Sequence, residues 1–376
     1  MKITEVGTCR VSADSDASYL VFVRTDDGYV GVGEAPVTRC PSTLSPAIGD
    51  LKPSILGRDP FDVHSIRAAL SSDRNSDGFE ALLPVISGVE AACLDIVGKR
   101  LGVSVAQLFG GSLREYVRLC ATRWEHPDDS PEDYAQKARR VADSGFTALK
   151  FDPFGRIGGV LPTIGPALDR AVEITRSVRK EVGTAVDLIV DANGRFTPSE
   201  AIRIARAFEP FALLWIEDPL GPDDLDWWEK VAGAVAVPIA AGGRSFAGGR
   251  FRDVIERQLT DFVLPDLCSV GGVHAVRDVA LLAETYFMSF ALHHSGGPVS
   301  LAIEAQIGAC APNFAMMELP YGSSESWDRL LKAPLQLKDG HLKVPTGPGW
   351  GIEYRHLLEL QSSGSGAVAP VAAGNQ

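Results

Sequence analysis

The sequence predicts a (β/α) barrel preceded by a smaller α+β module. Short apolar runs, each followed by a helical pattern, recur at intervals of 23 to 27 residues between Asp191 and Glu318. This interval is the length of the βα unit of a barrel. The chain has 376 residues, more than the roughly 250 of such a barrel. The surplus, residues 1–115, has a different pattern and is predicted to form the second module.

Residues 1–115 combine strand patterns with helical ones. Gly31-Val32-Gly33 lies inside a strand pattern and no helix start follows it, so it does not indicate a nucleotide-binding loop. A tight turn, Asp26-Asp27-Gly28, joins the last two strand patterns. The expected elements are strands over 2–11, 19–25 and 29–34 and helices over 60–70 and 82–98.

The barrel is predicted over residues 116–333. It is expected to begin with strands over 117–121 and 147–151, separated by a helix over 131–144. The segment 152–166 is rich in Gly and Pro and lies after a strand, on the face where barrel enzymes carry their active-site loops. In Thr197-Pro198-Ser199-Glu200, an N-cap, a proline at the first helical position and a glutamate at the third predict a helix start.

Two segments follow the barrel. Residues 334–360 contain short strand patterns and are expected to return to the N-terminal module. Residues 361–376 consist largely of Gly, Ala and Ser without a core-forming pattern, and are expected to be a disordered tail.

Composition excludes several classes of function. The net charge of −12 argues against a nucleic-acid partner, which requires a basic surface. No run of 18 apolar residues occurs, and the first residues lack an apolar leader, so neither a membrane span nor secretion is expected. The six cysteines include no CxxC pair. They are expected to be reduced thiols in a cytoplasmic protein.

Two carboxylates stand at predicted strand ends. Asp191 closes the apolar run DLIVD and Glu217 closes LLWIE, so both leave their strands at the same edge of a parallel sheet. Carboxylate oxygens suit a hard divalent cation such as Mg2+. The alternative is that both acids only cap neighbouring helices, and the spacing alone does not separate the two readings.

Six segments in order resemble one known family, the enolase superfamily, and within it the mandelate racemase-like acid-sugar dehydratases and racemases. The resemblance extends to about residue 355 and implies a modified TIM barrel, (β/α)7β, under an N-terminal α+β capping domain. The segment GFTALKFDPFG, residues 145–155, is most similar to members that act on sugar acids. The six segments are VDANG (190–194), WIEDP (215–219), VPIAAG (237–242), LPDLCSVGG (264–272), HHSGGPVSLA (293–302) and VPTGPGWGIE (344–353).

The resemblance implies a reaction that begins with removal of a proton α to a carboxylate. The resulting ene-diolate needs a divalent ion to stabilise its charge and a positioned group to take the proton. Asp191 and Glu217 would hold Mg2+. His293 would be the general base or acid, and Asp266, one strand earlier, would hydrogen-bond to it and raise its basicity.

Further site residues follow from the same resemblance. Lys150 matches the first lysine of the family's KxK element, but Asp152 replaces the second, which leaves Lys150 as a substrate binder or acid. Asn193 and Glu318 match groups that bind substrate, although each could be an ordinary strand-end residue. His294 is the weaker candidate beside His293, because consecutive residues of an extended segment point to opposite sides.

The chain departs from the family pattern at Gly243. Relatives carry a carboxylate or amide at this position as the third metal ligand, and glycine has no side chain to offer. Arg244 beside it is a candidate to supply positive charge at the substrate site. The change either alters metal affinity or chemistry, or is a neutral replacement in an otherwise ordinary enzyme.

The residues together predict Mg2+-dependent dehydration of a sugar acid. Elimination is favoured over racemisation because only one base, His293 with Asp266, is evident, whereas racemisation needs groups on both faces. A racemase, epimerase or cycloisomerase using Lys150 is the first alternative. A non-catalytic acid-binding relative, suggested by Gly243, is the second. The expected partner is a small carboxylate, and the chain is expected to form a homo-oligomer.

Overall fold

A three-stranded antiparallel sheet with its helices forms the N-terminal module in the computed structural model, and an eight-stranded parallel barrel follows. The strands of the first sheet pair in chain order, so it is a meander as predicted. The residues that the structure describes are 1–13, 16–35, 41–72, 79–155, 164–222, 224–242, 250–323, 327 and 330–354.

The N-terminal elements agree with the predicted ones to within a few residues. The structure adds two helices, α1 and α4, that the pattern does not predict. The first contains Pro46 and Gly49, which weaken a helical pattern, and the second is a single turn. In chain order the elements are β1 (Ile3–Ala13), β2 (Asp16–Thr25), β3 (Val30–Ala35), α1 (Leu44–Leu51), α2 (Val63–Leu70), α3 (Leu83–Leu101) and α4 (Val105–Leu108).

The helix α3 is the centre of this module. It is buried on nearly every side from Leu83 to Gly98 and ends at Gly102, whose φ of 71° is left-handed. It packs so closely on β3 that a Cβ at Gly31 would lie 1.9 Å from the Ala92 carbonyl oxygen and one at Gly33 would lie 2.0 Å from that of Gly88. The two glycines of the strand therefore permit close helix packing.

One segment among the described residues, Phe79–Leu101, is long and apolar enough to cross a membrane, and 89% of its apolar window is buried inside the fold. Since α3 makes up most of this segment, its apolar character is accounted for by the core.

The barrel strands pair in parallel with their neighbours in chain order, and pairing of the last strand with the first closes the barrel. Inside it, small and aromatic side chains that include Cys120, Ala148 and Trp215 form a separate buried layer. The strands are β4 (Tyr116–Thr122), β5 (Ala148–Phe151), β6 (Asp187–Asp191), β7 (Trp215–Glu217), β8 (Ile239–Ala241), β9 (Phe262–Val263), β10 (Ser289–Leu292) and β11 (Phe314–Pro320).

Seven helices in the described part of the chain connect these strands, which gives the (β/α)7β order. The helix start predicted at residue 197 is present, with Thr197 as the N-cap of the helix that begins at Pro198. The Glu200 carboxylate accepts hydrogen bonds from the Thr197 backbone amide at 2.9 Å and from its hydroxyl at 2.8 Å. The helices are α5 (Pro131–Asp143), α6 (Ile164–Val182), α7 (Pro198–Phe208), α8 (Leu225–Ala232), α9 (Arg250–Glu256), α10 (Val273–Thr285) and α11 (Pro298–Cys310).

After the barrel, β12 (Leu337–Lys338) and β13 (His341–Lys343) form a hairpin, and β13 pairs antiparallel with β4. Trp350 then packs on α3: its amide donates to Asp95 Oδ1 at 3.1 Å and its indole to the Ala91 carbonyl at 2.9 Å. These bonds join the segment to the N-terminal module. The tail expected over 361–376 lies outside the described residues.

Candidate active site

The carboxyl ends of the barrel strands surround a polar cavity of about 150 Å³. Strands β4, β5, β6, β10 and β11 contribute to its wall, each through residues near its carboxyl end. Asp191 and Glu217 end the paired strands β6 and β7 and are register partners. Parallel strands with the same polarity thus place the predicted residues at one edge of the barrel.

Lys150 lies within a group of carboxylates. Its Nζ is 2.6 Å from Glu217 Oε1 and 3.6 Å from Asp191 Oδ2, and it also donates to Glu318. Burial alone lowers the pKa of Lys150, but these three carboxylates raise it well above its usual value. Lys150 is therefore a fixed positive charge and a poor proton acceptor.

The carboxylates outnumber the cation they share. Burial raises the pKa of Glu217 to about 8 even though Lys150 lowers it. For Glu318, Lys150 and His293 outweigh burial and lower the pKa. A buried group of three acids and one ammonium has unbalanced negative charge, which an additional cation can neutralise.

The donor set fits a divalent ion. Glu217, His293 and Glu318 each place a ligand atom within 4.8 Å of the other two, but Asp266 engages His293, and Lys150 lies between Glu217 and Glu318. Asp191 and Glu217, which are register partners and both lie near Lys150 Nζ, are the more suitable pair, since hard cations prefer carboxylates.

Gly243, at the position of the family's usual third ligand, and Arg244 lie outside the described residues. The chain is fixed just before them: Gly242 donates its amide hydrogen to Asp218 Oδ1 at 3.2 Å. Asp218 follows Glu217 and is buried. This bond determines where the backbone leaves β8.

His293 and Asp266 form the expected pair across the ends of β10 and β9. His293 Nδ1 is 2.8 Å from Asp266 Oδ2. The other carboxylate oxygen accepts from the amides of Cys268 at 2.9 Å and Ser269 at 3.0 Å, and Ser295 donates to Oδ2 at 2.6 Å. A carboxylate held in this way orients the imidazole so that Nε2 is the nitrogen available to a substrate.

The surrounding groups raise the pKa of His293 and lower the pKa of Asp266. Burial lowers the pKa of His293, but Glu318 and the hydrogen bond to Asp266 raise it more, to about 9. Burial raises the pKa of Asp266, but hydrogen bonds from His293 and Ser295, among others, lower it overall. Asp266 is therefore an anion that stabilises the protonated imidazole.

His294 also lines the cavity, contrary to the expectation that it points away from the side of His293. The alternation rule does not apply because β10 ends at Leu292, before either histidine. His294 Nδ1 is 2.8 Å from Glu304 Oε2, and its buried Nε2 has no hydrogen-bond partner among the described residues. Glu304 lies within α11 and was not identified from the sequence.

Asp152, one residue beyond the end of β5, lines the cavity together with Lys150. Arg195 Nη2 donates to Asp152 Oδ1 at 2.7 Å, and Asn193 Nδ2 donates to Oδ2 at 3.2 Å. Asn193 has a left-handed φ of 55°, and its backbone amide donates to Asp191 Oδ1 at 2.8 Å. These contacts hold Asp152 as an acceptor of hydrogen bonds.

Three residues at or just beyond the end of β4 were not identified from the sequence: Thr122, Arg123 and Glu125 line the cavity. The Asp152 backbone amide donates to Glu125 Oε1 at 3.2 Å. A weak signal is present in the sequence, because Glu125 is an acid shortly after the predicted strand 117–121, although it lies beyond the strand whereas Asp191 and Glu217 end theirs.

The N-terminal module reaches the edge of this site through Glu34. Its carboxylate accepts from the Gly297 amide at 2.8 Å and the Ser300 amide at 2.8 Å, at the start of α11. The acid thus satisfies free amide groups at a helix N-terminus in the other module. This contact fixes the loop that contains both histidines.

The closed parallel barrel, with buried carboxylates and histidines at the carboxyl ends of its strands, is typical of a barrel enzyme. Two family descriptions match: "Mandelate racemase / muconate lactonizing enzyme, N-terminal domain" over residues 5–110 and "Enolase C-terminal domain-like" over residues 133–357. The chain belongs to the enolase superfamily, in its mandelate racemase-like part. This confirms the resemblance and the predicted fold class.

Characterised relatives cover most of the chain. A D-gluconate dehydratase of Thermoproteus tenax is 34% identical over 345 residues, which is 89% of this chain and 68% of that protein. A D-xylonate dehydratase of Haloferax volcanii is 32% identical over 364 residues, 93% of this chain and 86% of that protein. Both names describe dehydration of a sugar acid.

Solved structures agree. A mandelate racemase/muconate lactonizing enzyme-like protein from Rubrobacter xylanophilus superposes with a TM-score of 0.86 at 30% identity, covering 96% of each chain. A member of the enolase superfamily from Salmonella Typhimurium superposes with a TM-score of 0.87 at 28% identity, covering 94% of this chain and 96% of that one.

Proposed function

We propose that this protein is a hydro-lyase that dehydrates a sugar acid, removing the proton α to the carboxylate and expelling the β-hydroxyl. The observation that carries this proposal is the His293–Asp266 pair, which directs one imidazole nitrogen toward a cavity whose wall also holds the acidic group around Lys150. The names of the relatives favour dehydration over the other reactions of the superfamily.

Asp191 and Glu217 are proposed to hold Mg2+, which when bound would neutralise the negative charge that an ene-diolate places on the substrate carboxylate. Lys150 supplies a further positive charge at the same place. Gly243 and Arg244 remain candidates for the positions of the third ligand and of a second substrate-binding cation.

His293 is proposed to take the α-proton through Nε2. Asp266 occupies Nδ1, so Nε2 is the only ring nitrogen that can meet a substrate. The raised pKa of His293 makes neutral Nε2 a strong proton acceptor. Asp266 stabilises the imidazolium that forms when the proton is transferred.

Substrate hydroxyl groups are proposed to bind between Asn193, Asp152 and His294. Asp152 accepts hydrogen bonds as a carboxylate, whereas the amide of Asn193 can both donate and accept. Glu318 is proposed to act mainly by holding Lys150 in place. It is proposed to lie beside the reacting carbons of the substrate without transferring a proton.

Racemisation, epimerisation or cycloisomerisation remains the alternative to be tested. A two-base racemase needs a second proton acceptor, and Lys150 is the residue at the position of the family's lysine. Its contacts with three carboxylates keep it protonated, which favours elimination. A non-catalytic acid-binding protein, the other alternative, would have no use for the His293–Asp266 pair.

We also propose that the protein works in the cytoplasm as a homo-oligomer. The five cysteines in the described part of the chain are free thiols, which supports a reducing compartment. Large apolar side chains at the surface, including Leu113 and Phe287, support association of copies. Sedimentation of the purified protein measures the oligomeric state.

The proposal is tested by assaying the protein on a library of sugar acids, once with Mg2+ and once with a chelator. The assays are run in deuterated water, so that exchange of the α-proton is measured together with product formation. We expect at least one acid to yield a 2-keto-3-deoxy acid in the presence of Mg2+ and none with chelator. An epimer formed without loss of water would establish the racemase alternative. Binding of an acid without any turnover or exchange would establish the non-catalytic one.

A further inference from the structure

Glu125 has an unsatisfied carboxylate oxygen in the active-site cavity. The residue follows β4 and lines the cavity, where its Oε1 accepts the Asp152 amide hydrogen at 3.2 Å. Its Oε2 is buried and has no hydrogen-bond partner among the described residues. Buried polar atoms without partners are uncommon because each costs desolvation free energy. Glu125 itself lines the cavity where the substrate is proposed to bind.

The surroundings of Glu125 favour its neutral form. Burial, together with the nearby carboxylates of Asp152 and Asp191, outweighs the opposing backbone hydrogen bonds and raises the pKa of Glu125 to about 7. No ion pair to Glu125 is found in the described part of the chain. The titratable groups around it are Tyr134 on α5, Asp152 and Asp191, with Lys150, His293 and Glu318 elsewhere in the cavity.

The elimination needs a proton donor that the other residues do not provide. A departing hydroxide must be protonated to leave easily, and the α-proton taken by His293 is needed later at the neighbouring carbon. Lys150 is held by three carboxylates and Asp152 by Arg195. His294 extends from the same loop as His293, whereas Glu125 extends from a different strand and wall.

We propose that Glu125 is the general acid that protonates the leaving β-hydroxyl. The inference rests on the proposed dehydratase function and adds a catalytic residue to it. The C–H bond at the α-carbon breaks and its proton moves to His293 Nε2, while the bonding pair forms the C=C bond. The β C–O bond breaks, and the hydroxide leaves as water with the proton from Glu125.

The cycle then closes without another reactant. The enol product ketonises: the former β-carbon takes the proton held by His293, and the enol O–H proton returns to the Glu125 carboxylate. The net change is a sugar acid converted to a keto-deoxy acid and one water. Both residues end in the protonation states in which they began.

The test uses a leaving group that needs no proton. The Mg2+-loaded protein and its Glu125→Gln variant are assayed with a sugar acid that the protein dehydrates and with the analogue carrying fluorine in place of the β-hydroxyl. We expect the variant to lose roughly 10²- to 10⁴-fold in water elimination, and to release fluoride at a rate within about tenfold of the unaltered protein, since fluoride leaves unprotonated. Glu132→Gln, an exposed acid on α5, is the matched control and should change neither rate.

The outcomes separate the two proposals. Water elimination by Glu125→Gln within a few fold of the unaltered protein overturns the inference and leaves the dehydratase function standing. Equal losses with both leaving groups also overturn it, because they indicate a binding or structural role. Glu125→Asp, which keeps an acid on a shorter side chain, should recover part of the lost water elimination and shows that the site still folds. If the unaltered protein eliminates neither water nor fluoride from any acid, the dehydratase function itself fails.

Discussion

His293 and His294 are consecutive residues, and each bonds through Nδ1 to a buried acid at 2.8 Å, but the two acids have different surroundings. Asp266 lies in a loop and receives further hydrogen bonds from two backbone amides and from Ser295. Glu304 lies inside α11, where the backbone amides already bond to the helix. Asp266, the loop acid, is therefore held as an anion more firmly than Glu304, the helical acid.

The pKa values follow this difference. Hydrogen bonds outweigh burial at Asp266 and lower its pKa, whereas burial prevails at Glu304 and raises its pKa to about 7 despite His294. Burial lowers the pKa of His294, but Glu304 raises it more, so the pKa is raised overall. The two residues therefore retain a shared proton at Nδ1, and whichever of them holds it, Nε2 of His294 carries a hydrogen that it can donate to a substrate oxygen. We infer that the His293–Asp266 pair transfers a proton and that the His294–Glu304 pair binds a substrate hydroxyl.

Replacement of His293 tests this comparison with the largest expected effect. The His293→Asn variant should lose roughly 10²- to 10⁴-fold in kcat, because a general base is removed, while thermal unfolding with bound Mg2+ still shows a cooperative transition. Steady-state assays on the acid identified in the library measure it. Activity within a few fold of the unaltered protein would exclude His293 as the base.

Replacing each acid by its amide compares the two pairs directly. Asp266→Asn should lower kcat by about 10² or more, since an amide cannot stabilise the imidazolium and favours the wrong tautomer. Glu304→Gln should leave kcat within a few fold, because an amide still hydrogen-bonds His294. Equal losses in the two variants would show that the pairs do not divide their roles as inferred.

Much of this site could be predicted because strand ends are visible in the sequence. Asp191, Glu217, Asp266 and His293 each follow a short apolar run, and parallel strands bring their ends together. Glu125 is less visible in the sequence, because it lies three residues beyond the end of the first barrel strand. The period of the βα units and the resemblance to the family together predicted the barrel and its (β/α)7β order.

The remaining features depend on contacts between distant residues. Glu304 lies in the middle of a helix and has no local signal that it meets His294. Glu34 bonds to residues more than 260 positions away, and nothing in its strand pattern indicates this. The orientation of His294 depends on where β10 ends, which a pattern locates only to within a few residues.

The free energy of unfolding of the metal-free protein, measured over a pH series, should show how firmly His293 holds its proton beside Asp266. The pKa of His293 is raised from 6.5 to about 9, so its contribution to the free energy of unfolding is fully present below about pH 6.5 and is lost as pH rises through about 9. The stability advantage over His293→Asn should thus be larger at pH 6 than at pH 10, by at most about 3 kcal/mol. Denaturant unfolding with chelator measures both proteins, and an advantage that grows with pH would contradict the assignment.

The smallest effect is expected for His294. If its Nε2 only donates a hydrogen bond to a substrate hydroxyl, His294→Asn should raise KM by roughly fivefold, the loss of about 1 kcal/mol expected for one hydrogen bond, and leave kcat within a few fold. The loss should shrink with a substrate that lacks the hydroxyl bound there, which a series of deoxy sugar acids would identify. The contrary outcome is a fall in kcat as large as that of His293→Asn with every member of the series. It would mean that His294 also transfers a proton, because a binding contact to one hydroxyl cannot produce a loss that is independent of that hydroxyl.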